Sequence, residues 1–206
     1  MPSHSVAKYI KETEHAARHL FAGVDECRGP LRLSMQLSRR NTVEEVNRCL
    51  DASQAYAGRF FSEATLCGSI LQLAFMGLYL FPKNDTIPED CKTLVKPLTN
   101  ESPKNKAIQF CVGRRVHNIP IGLLIYAGRN QFNHWDDKSF NFSTTQVFDA
   151  LRRTHNNNPF FDMAYELNFT SRVVKANHIV LNELRWNSYE AYEADMRAML
   201  GEELPL

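Results

Sequence analysis

The chain has 206 residues, 44% of them hydrophobic, with 24 Lys plus Arg against 23 Asp plus Glu. That length and apolar fraction fit one domain with its own buried core, over residues 1–206. Only 9 Gly and 9 Pro exclude a collagen-like or disordered chain. A net charge of +1 excludes a uniformly basic nucleic-acid coat and a polyacidic tail, but not a local basic site.

In chain order, residues 5–22 read as an amphipathic helix with Val6, Ile10, Ala17, Leu20 and Phe21 on its apolar face. Gly29-Pro30 is expected to break it. Thr42-Val-Glu-Glu45 has capping-box spacing, and a helical pattern then runs to about Phe81. A kink is expected near Gly58 or Gly68, because so long a globular helix seldom stays straight. The apolar stretch Leu66–Phe81 is too short for a membrane span and holds Gln72, so it reads as a buried helix face. A short helix is predicted over 89–95, another from Pro103 to about Val116, and another from Ile121 to about Trp135, opened by Pro120. Ser143-Thr-Thr-Gln146 again has capping-box spacing and starts a helix through about Arg153. Residues 160–169 alternate apolar and polar side chains and read as a strand, with 139–142 as its partner or a second subunit pairing at its edge. Helices over 170–186 and 188–200 close the chain, the second behind a capping box at Asn187–Glu190. The predicted fold is mainly α, a helical bundle with a small two-stranded β appendage.

Met1–Leu20 holds His4, Lys8, Lys11, Glu12 and Glu14, so no signal peptide is expected there. The five cysteines are scattered, with no CxxC pair, so no zinc ribbon is expected and they read as reduced, mostly buried thiols in a cytoplasmic protein; no P-loop or GxGxxG points to a cofactor. Cys111 beside His117 reads as a buried structural thiol rather than a nucleophile. His15 and His19 share a helix face but lack the Glu of a zinc-protease motif, so a solvated face is expected. Arg152, Arg153 and His155 extend the basic character or sit at a helix C-terminus. Asp136 and Asp137 are read as capping groups.

The charge count is uneven along the chain. From Ser102 to Trp135 there is no Asp or Glu, while Lys104, Lys106, Arg114, Arg115 and Arg129 stand there with His117 and His134. Such a stretch can bind a polyanion, with Lys104, Lys106, Arg114, Arg115 and His117 as candidate substrate contacts. Alternatively its arginines pair with acids elsewhere in the fold. The stretch ends in Gly128-Arg-Asn-Gln-Phe-Asn-His134-Trp135, where three polar groups close a strongly apolar run. Arg129 can bind a phosphate through two parallel bonds, His134 can exchange a proton near neutral pH, and Asn130 can hold the histidine tautomer or a substrate hydroxyl.

Arg129-Asn130-Gln-Phe-Asn-His134 resembles the signature of the HEPN family of helical-bundle proteins, over roughly residues 42–155. The resemblance implies a metal-independent endoribonuclease with Arg129, Asn130 and His134 as catalytic residues. Attack of a ribose 2′-hydroxyl on the adjacent phosphate would leave a 2′,3′-cyclic phosphate. It also implies a homodimer with two motifs facing across a two-fold axis, in a toxin or defence system with a cognate protein partner. The alternative within the same resemblance is a non-catalytic helical module that binds a protein or a nucleotide.

Overall fold

A computed structural model describes residues 5–38, 42–95, 106–134, 142–154 and 175–202. Two long helices dominate it, α1 (Val6–Leu37) and α2 (Val43–Leu80), which pack along each other as an antiparallel hairpin. Turns of 3-10 helix follow at Glu89–Cys91 and Lys106–Phe110. A two-stranded antiparallel hairpin comes next, β1 (Arg115–Val116) and β2 (Ile119–Pro120). Helices α3 (Ile121–Asn133) and α4 (Phe142–Thr154) lie beyond it. A short α5 (Lys175–Asn177) then passes directly into a π-helical turn, His178–Glu183, and α6 (Tyr189–Leu200) ends the described chain. The fold is mainly α with a small two-stranded sheet, as the sequence predicts.

Helix α3 is buried at every position from Ile121 to Gly128 and sits among α2, α4 and α5. A helix apolar all round belongs inside a bundle rather than at its surface. Its close approach to α2 depends on Gly68, where a Cβ would stand 2.4 Å from the Phe132 ring. Gly68 thus admits an aromatic side chain, and α2 runs as one helix through the expected kink positions. At the other end of α3, a Cβ on Gly122 would stand 2.4 Å from the backbone oxygen of Phe110. Gly122→Ala is expected to lower stability by about 1–3 kcal/mol, because backbone must move to admit the methyl. A denaturant midpoint unchanged from wild type would refute this. Although α2 is long and apolar enough to cross a membrane, half of its apolar window is buried inside the protein.

Helix α1 does not stop at Gly29-Pro30 but continues through it to Leu37. Proline has no N–H to give the carbonyl four residues back, which here belongs to Glu26. Arg59 of α2 donates its Nη1–H to that carbonyl oxygen at 3.0 Å, replacing the missing bond. Pro30→Ala restores the helical donor and is expected to stabilise the protein by about 1–2 kcal/mol, after the loss of proline's restraint on the unfolded chain. A lowered melting temperature would contradict that account.

The sheet lies elsewhere than predicted. Residues 106–116, expected within one helix, form a short 3-10 turn, an extended segment and then β1. The hairpin turn is His117-Asn118, both with positive φ, 51° and 63°. Two such residues make the tight turn whose twist matches its strands. The strand expected over 160–169 falls outside the described residues, as do 139–141 of its expected partner, while Phe142 begins α4. The helix expected over 89–95 is a 3-10 turn at Glu89–Cys91, and that over 170–186 is described only from Lys175. The Thr42–Glu45 capping box forms in full. Ser143 lies inside α4 rather than before it, and α6 is capped by Ser188 rather than Asn187, with the Ser188 hydroxyl accepting from the Ala191 amide.

Candidate functional site

The last turn of α3 rises from the core, so its polar residues follow one another outward. Asn130 and Gln131 are buried, Arg129 is half-buried, and Asn133 and His134 are exposed. The Arg129 guanidinium lies 4.3 Å from the centre of the Phe75 ring on α2. Its Nε–H donates to Gln72 Oε1 at 2.8 Å and its Nη1–H to Asn130 Oδ1 at 3.1 Å. Asn133 donates its Nδ2–H to the same Gln72 oxygen at 3.1 Å. Burial pushes the Arg129 pKa below its ordinary value, with Tyr126 acting weakly the other way. The group still stays cationic in water, since arginine titrates so high.

Among the described residues the charge of Arg129 meets no carboxylate. Arg18, Arg32, Arg114, Arg115 and Arg197 each meet a carboxylate. Every side-chain partner of Arg129 among the described residues is instead a neutral amide or the Phe75 ring. A half-desolvated cation held by neutral acceptors keeps its field for an incoming anion.

His134 caps α3, with its backbone N–H donating to the Asn130 carbonyl at 3.0 Å and its ring exposed. Asn130 spends its side-chain oxygen on Arg129, so it orients the guanidinium rather than the imidazole. The motif thus presents a braced cation and an exposed imidazole at one helix end. Gln72 and Phe75 complete that brace from α2. The sequence marked Gln72 only as an interruption in an apolar stretch, and a lone amide in such a face is the signal that could have found it.

The rest of the basic stretch is disposed differently. Arg114 pairs bidentately with Asp195 at 2.9 to 3.2 Å and donates to the Leu184 carbonyl at 2.6 Å. It ties the hairpin region to α6. Arg115 pairs with Asp90 and donates to the Asn118 carbonyl in its own hairpin. His117 Nε2 stands 3.6 Å from the buried Glu183 carboxylate. The alternative of partners elsewhere in the fold therefore holds for both arginines. Arg129 lies eight residues into α3 from the hairpin, about 12 Å along the axis, so these side chains do not gather around the motif. Lys106 begins the 3-10 turn, and Lys104 falls outside the described residues, as do Asp136, Asp137 and His155.

Other candidates keep structural roles. Cys111 donates from its thiol to the Ala107 carbonyl at 3.6 Å, and burial pushes its pKa up, away from the reactive thiolate. The His15 and His19 Nε2 atoms are 3.1 Å apart on the exposed face of α1. Arg152 and Arg153 sit in the last turn of α4. Among the described residues no group of three His, Cys, Asp or Glu could hold a metal ion. Comparison with protein-family models, curated proteins and solved structures finds no match to the chain.

Proposed function

We propose that the protein is a metal-independent endoribonuclease of the HEPN type, acting in the cytoplasm as a homodimer within a toxin or defence system. The observation that carries this reading is Arg129, a braced and half-buried guanidinium with no carboxylate partner among the described residues. It stands five positions before the exposed His134 at the same helix end. In the proposed reaction a ribose 2′-hydroxyl loses its proton to an imidazole, His134 or its counterpart in the second copy, and attacks the adjacent phosphorus. Arg129 binds the non-bridging oxygens as negative charge grows on them. The 5′-oxygen leaves with a proton from an imidazolium, so the products are a 2′,3′-cyclic phosphate and a 5′-hydroxyl.

The second reading is a non-catalytic module that binds a protein partner or a nucleotide. Neutralisation of Arg114 by Asp195 and of Arg115 by Asp90 favours it, because a long RNA needs more free cations than one motif offers. Incubation with RNA in excess EDTA separates the two. The ribonuclease reading expects cleavage that survives EDTA, yields cyclic phosphate ends and disappears in His134→Ala. Cleavage equal in wild type and His134→Ala comes from a contaminant and removes the reading.

A further inference from the structure

The opposite charge is left open on another face of α2. Between α1, α2 and the π-helical turn lies a cleft of ≈ 290 Å³. Its described lining includes Arg28, Tyr56, Phe60, Glu63, Asn177 and His178. Glu63 is 1% exposed and lines this cleft, with its carboxylate against the lining side chains Tyr56 and Asn177. Among the described residues no Lys, Arg or His stands within ion-pair distance of it. Its one well-made hydrogen bond comes from Asn177 Nδ2, which donates to Oε1 at 2.9 Å. The Tyr56 hydroxyl is 3.4 and 3.5 Å from the two oxygens, at the outer limit of a hydrogen bond. A carboxylate can accept about four hydrogen bonds, so most of its capacity is unused.

The walls suit a cation. Tyr56, Phe60 and Glu63 follow one another at helical spacing on one face of α2, so two aromatic side chains line the cleft beside the carboxylate, with the Tyr56 hydroxyl directed at it. Aromatic faces and a carboxylate together recognise an ammonium or guanidinium group. The donors are held in place. Asn177 Oδ1 accepts from the His178 backbone N–H at 2.8 Å, which leaves its amide N–H for Glu63. His178 is fixed by Asn182, whose amide donates to Nδ1 at 2.8 Å, and by Glu183, 3.2 Å from Nε2. The π-helical turn that carries these groups closes with Leu184 N–H donating to the Ile179 carbonyl at 2.8 Å, and such turns recur at binding sites. Arg28 adds a positive charge to the same cleft, its Nη1–H donating to Asn187 Oδ1 at 3.1 Å.

A buried carboxylate without a counter-ion is costly unless a cation arrives to meet it. We propose that this cleft binds a small zwitterion, with its ammonium or guanidinium group on Glu63 between Tyr56 and Phe60 and its anionic end toward Arg28. The volume is near the lower end of the range for small-molecule sites, about 300–1,000 Å³. Arg28 makes a simple polycation a poor fit, since a second positive charge would face the guanidinium. The assignment is independent of RNA cleavage and stands or falls without it.

Thermal shift and calorimetry with L-arginine, L-lysine, agmatine and L-citrulline test the proposal on the full chain. L-arginine or L-lysine at a hundredfold excess over its Kd is expected to raise Tm by roughly 5–10 °C. Agmatine, which keeps the guanidinium but lacks the carboxylate, should bind at least tenfold more weakly than L-arginine. L-citrulline keeps the α-ammonium and α-carboxylate but carries a neutral ureido group in place of the guanidinium, so with the side-chain cation on Glu63 it should bind at least tenfold more weakly than L-arginine. Glu63→Gln keeps the shape and removes the charge, so it should abolish the response while circular dichroism shows the same helix content. Arg28→Gln should erase the difference between L-arginine and agmatine. No saturable binding of L-arginine or L-lysine to wild type, or equal binding to Glu63→Gln, overturns the proposal. Agmatine binding as tightly as L-arginine overturns the zwitterion assignment.

Discussion

Arg129→Ala is expected to lower RNA cleavage by about 10²–10³-fold, the usual loss when one donor to a developing negative charge is removed. Most of that loss should fall on kcat, since in the proposed reaction the guanidinium gains most of its interaction as the phosphorus becomes five-coordinate. Arg129→Lys keeps a charge but loses the planar fork that donates to Gln72 and Asn130 while facing a phosphate. It should recover only part of the activity, because an ammonium cannot hold two phosphate oxygens and two amide partners together. Gln72→Ala touches no substrate in this arrangement and should act through Arg129 alone, with a smaller loss that vanishes in the Arg129→Ala background. Full activity in Arg129→Ala, measured with cyclic phosphate formation as the readout, would end the ribonuclease reading even if RNA still bound.

Trp186→Ala should be among the most destabilising substitutions in the protein. Its side chain is fully buried, packs edge-on against Tyr192 at 5.0 Å and donates its indole N–H to Asp195 at 2.7 Å. Removing so large a ring costs about 3–5 kcal/mol through lost burial and the cavity left behind. For a chain of this size that is roughly 6–20 °C in Tm. Asp195 also holds Arg114, so the truncation loosens the link between the hairpin region and α6. Trp186→Phe keeps most of the volume and loses the donor, and should cost about 1–3 kcal/mol. Equal midpoints for the two variants would show that the hydrogen bond, not the volume, dominates. Neither substitution touches Arg129, so activity per folded molecule should hold at temperatures well below both midpoints.

The parts of the fold legible in advance share a local cause. The Thr42–Glu45 box needs only four consecutive residues, and it forms with its expected bonds. Pro120 followed by an apolar run gives α3, which starts at Ile121 and ends two residues short of the expected Trp135. Where distant residues intervene, local rules fail. Pro30 would end an isolated helix, yet Arg59 supplies the missing donor from the neighbouring helix. The β1–β2 hairpin escapes notice because its strands have two residues each and its turn, His117-Asn118, contains no glycine.

By itself the sequence determined the helical class, the long α2, the buried α3 and the placement of Arg129 and His134 at one helix end. Each follows from hydrophobic period, capping chemistry and spacing along one element, which are properties of neighbours in the chain. Only the tertiary structure decided which charges are neutralised. Arg114 and Asp195 are 81 residues apart, Arg129 and Gln72 are 57 apart, and Glu63 and Asn177 are 114 apart. Composition sees a balance of 24 against 23. Most of the ion pairs among the described residues lie at the surface, where they are worth little, while among those residues Arg129 and Glu63 meet only neutral side-chain partners. Those two residues stand out because burial raises the cost of an unpaired charge, and burial is a property of the packed chain.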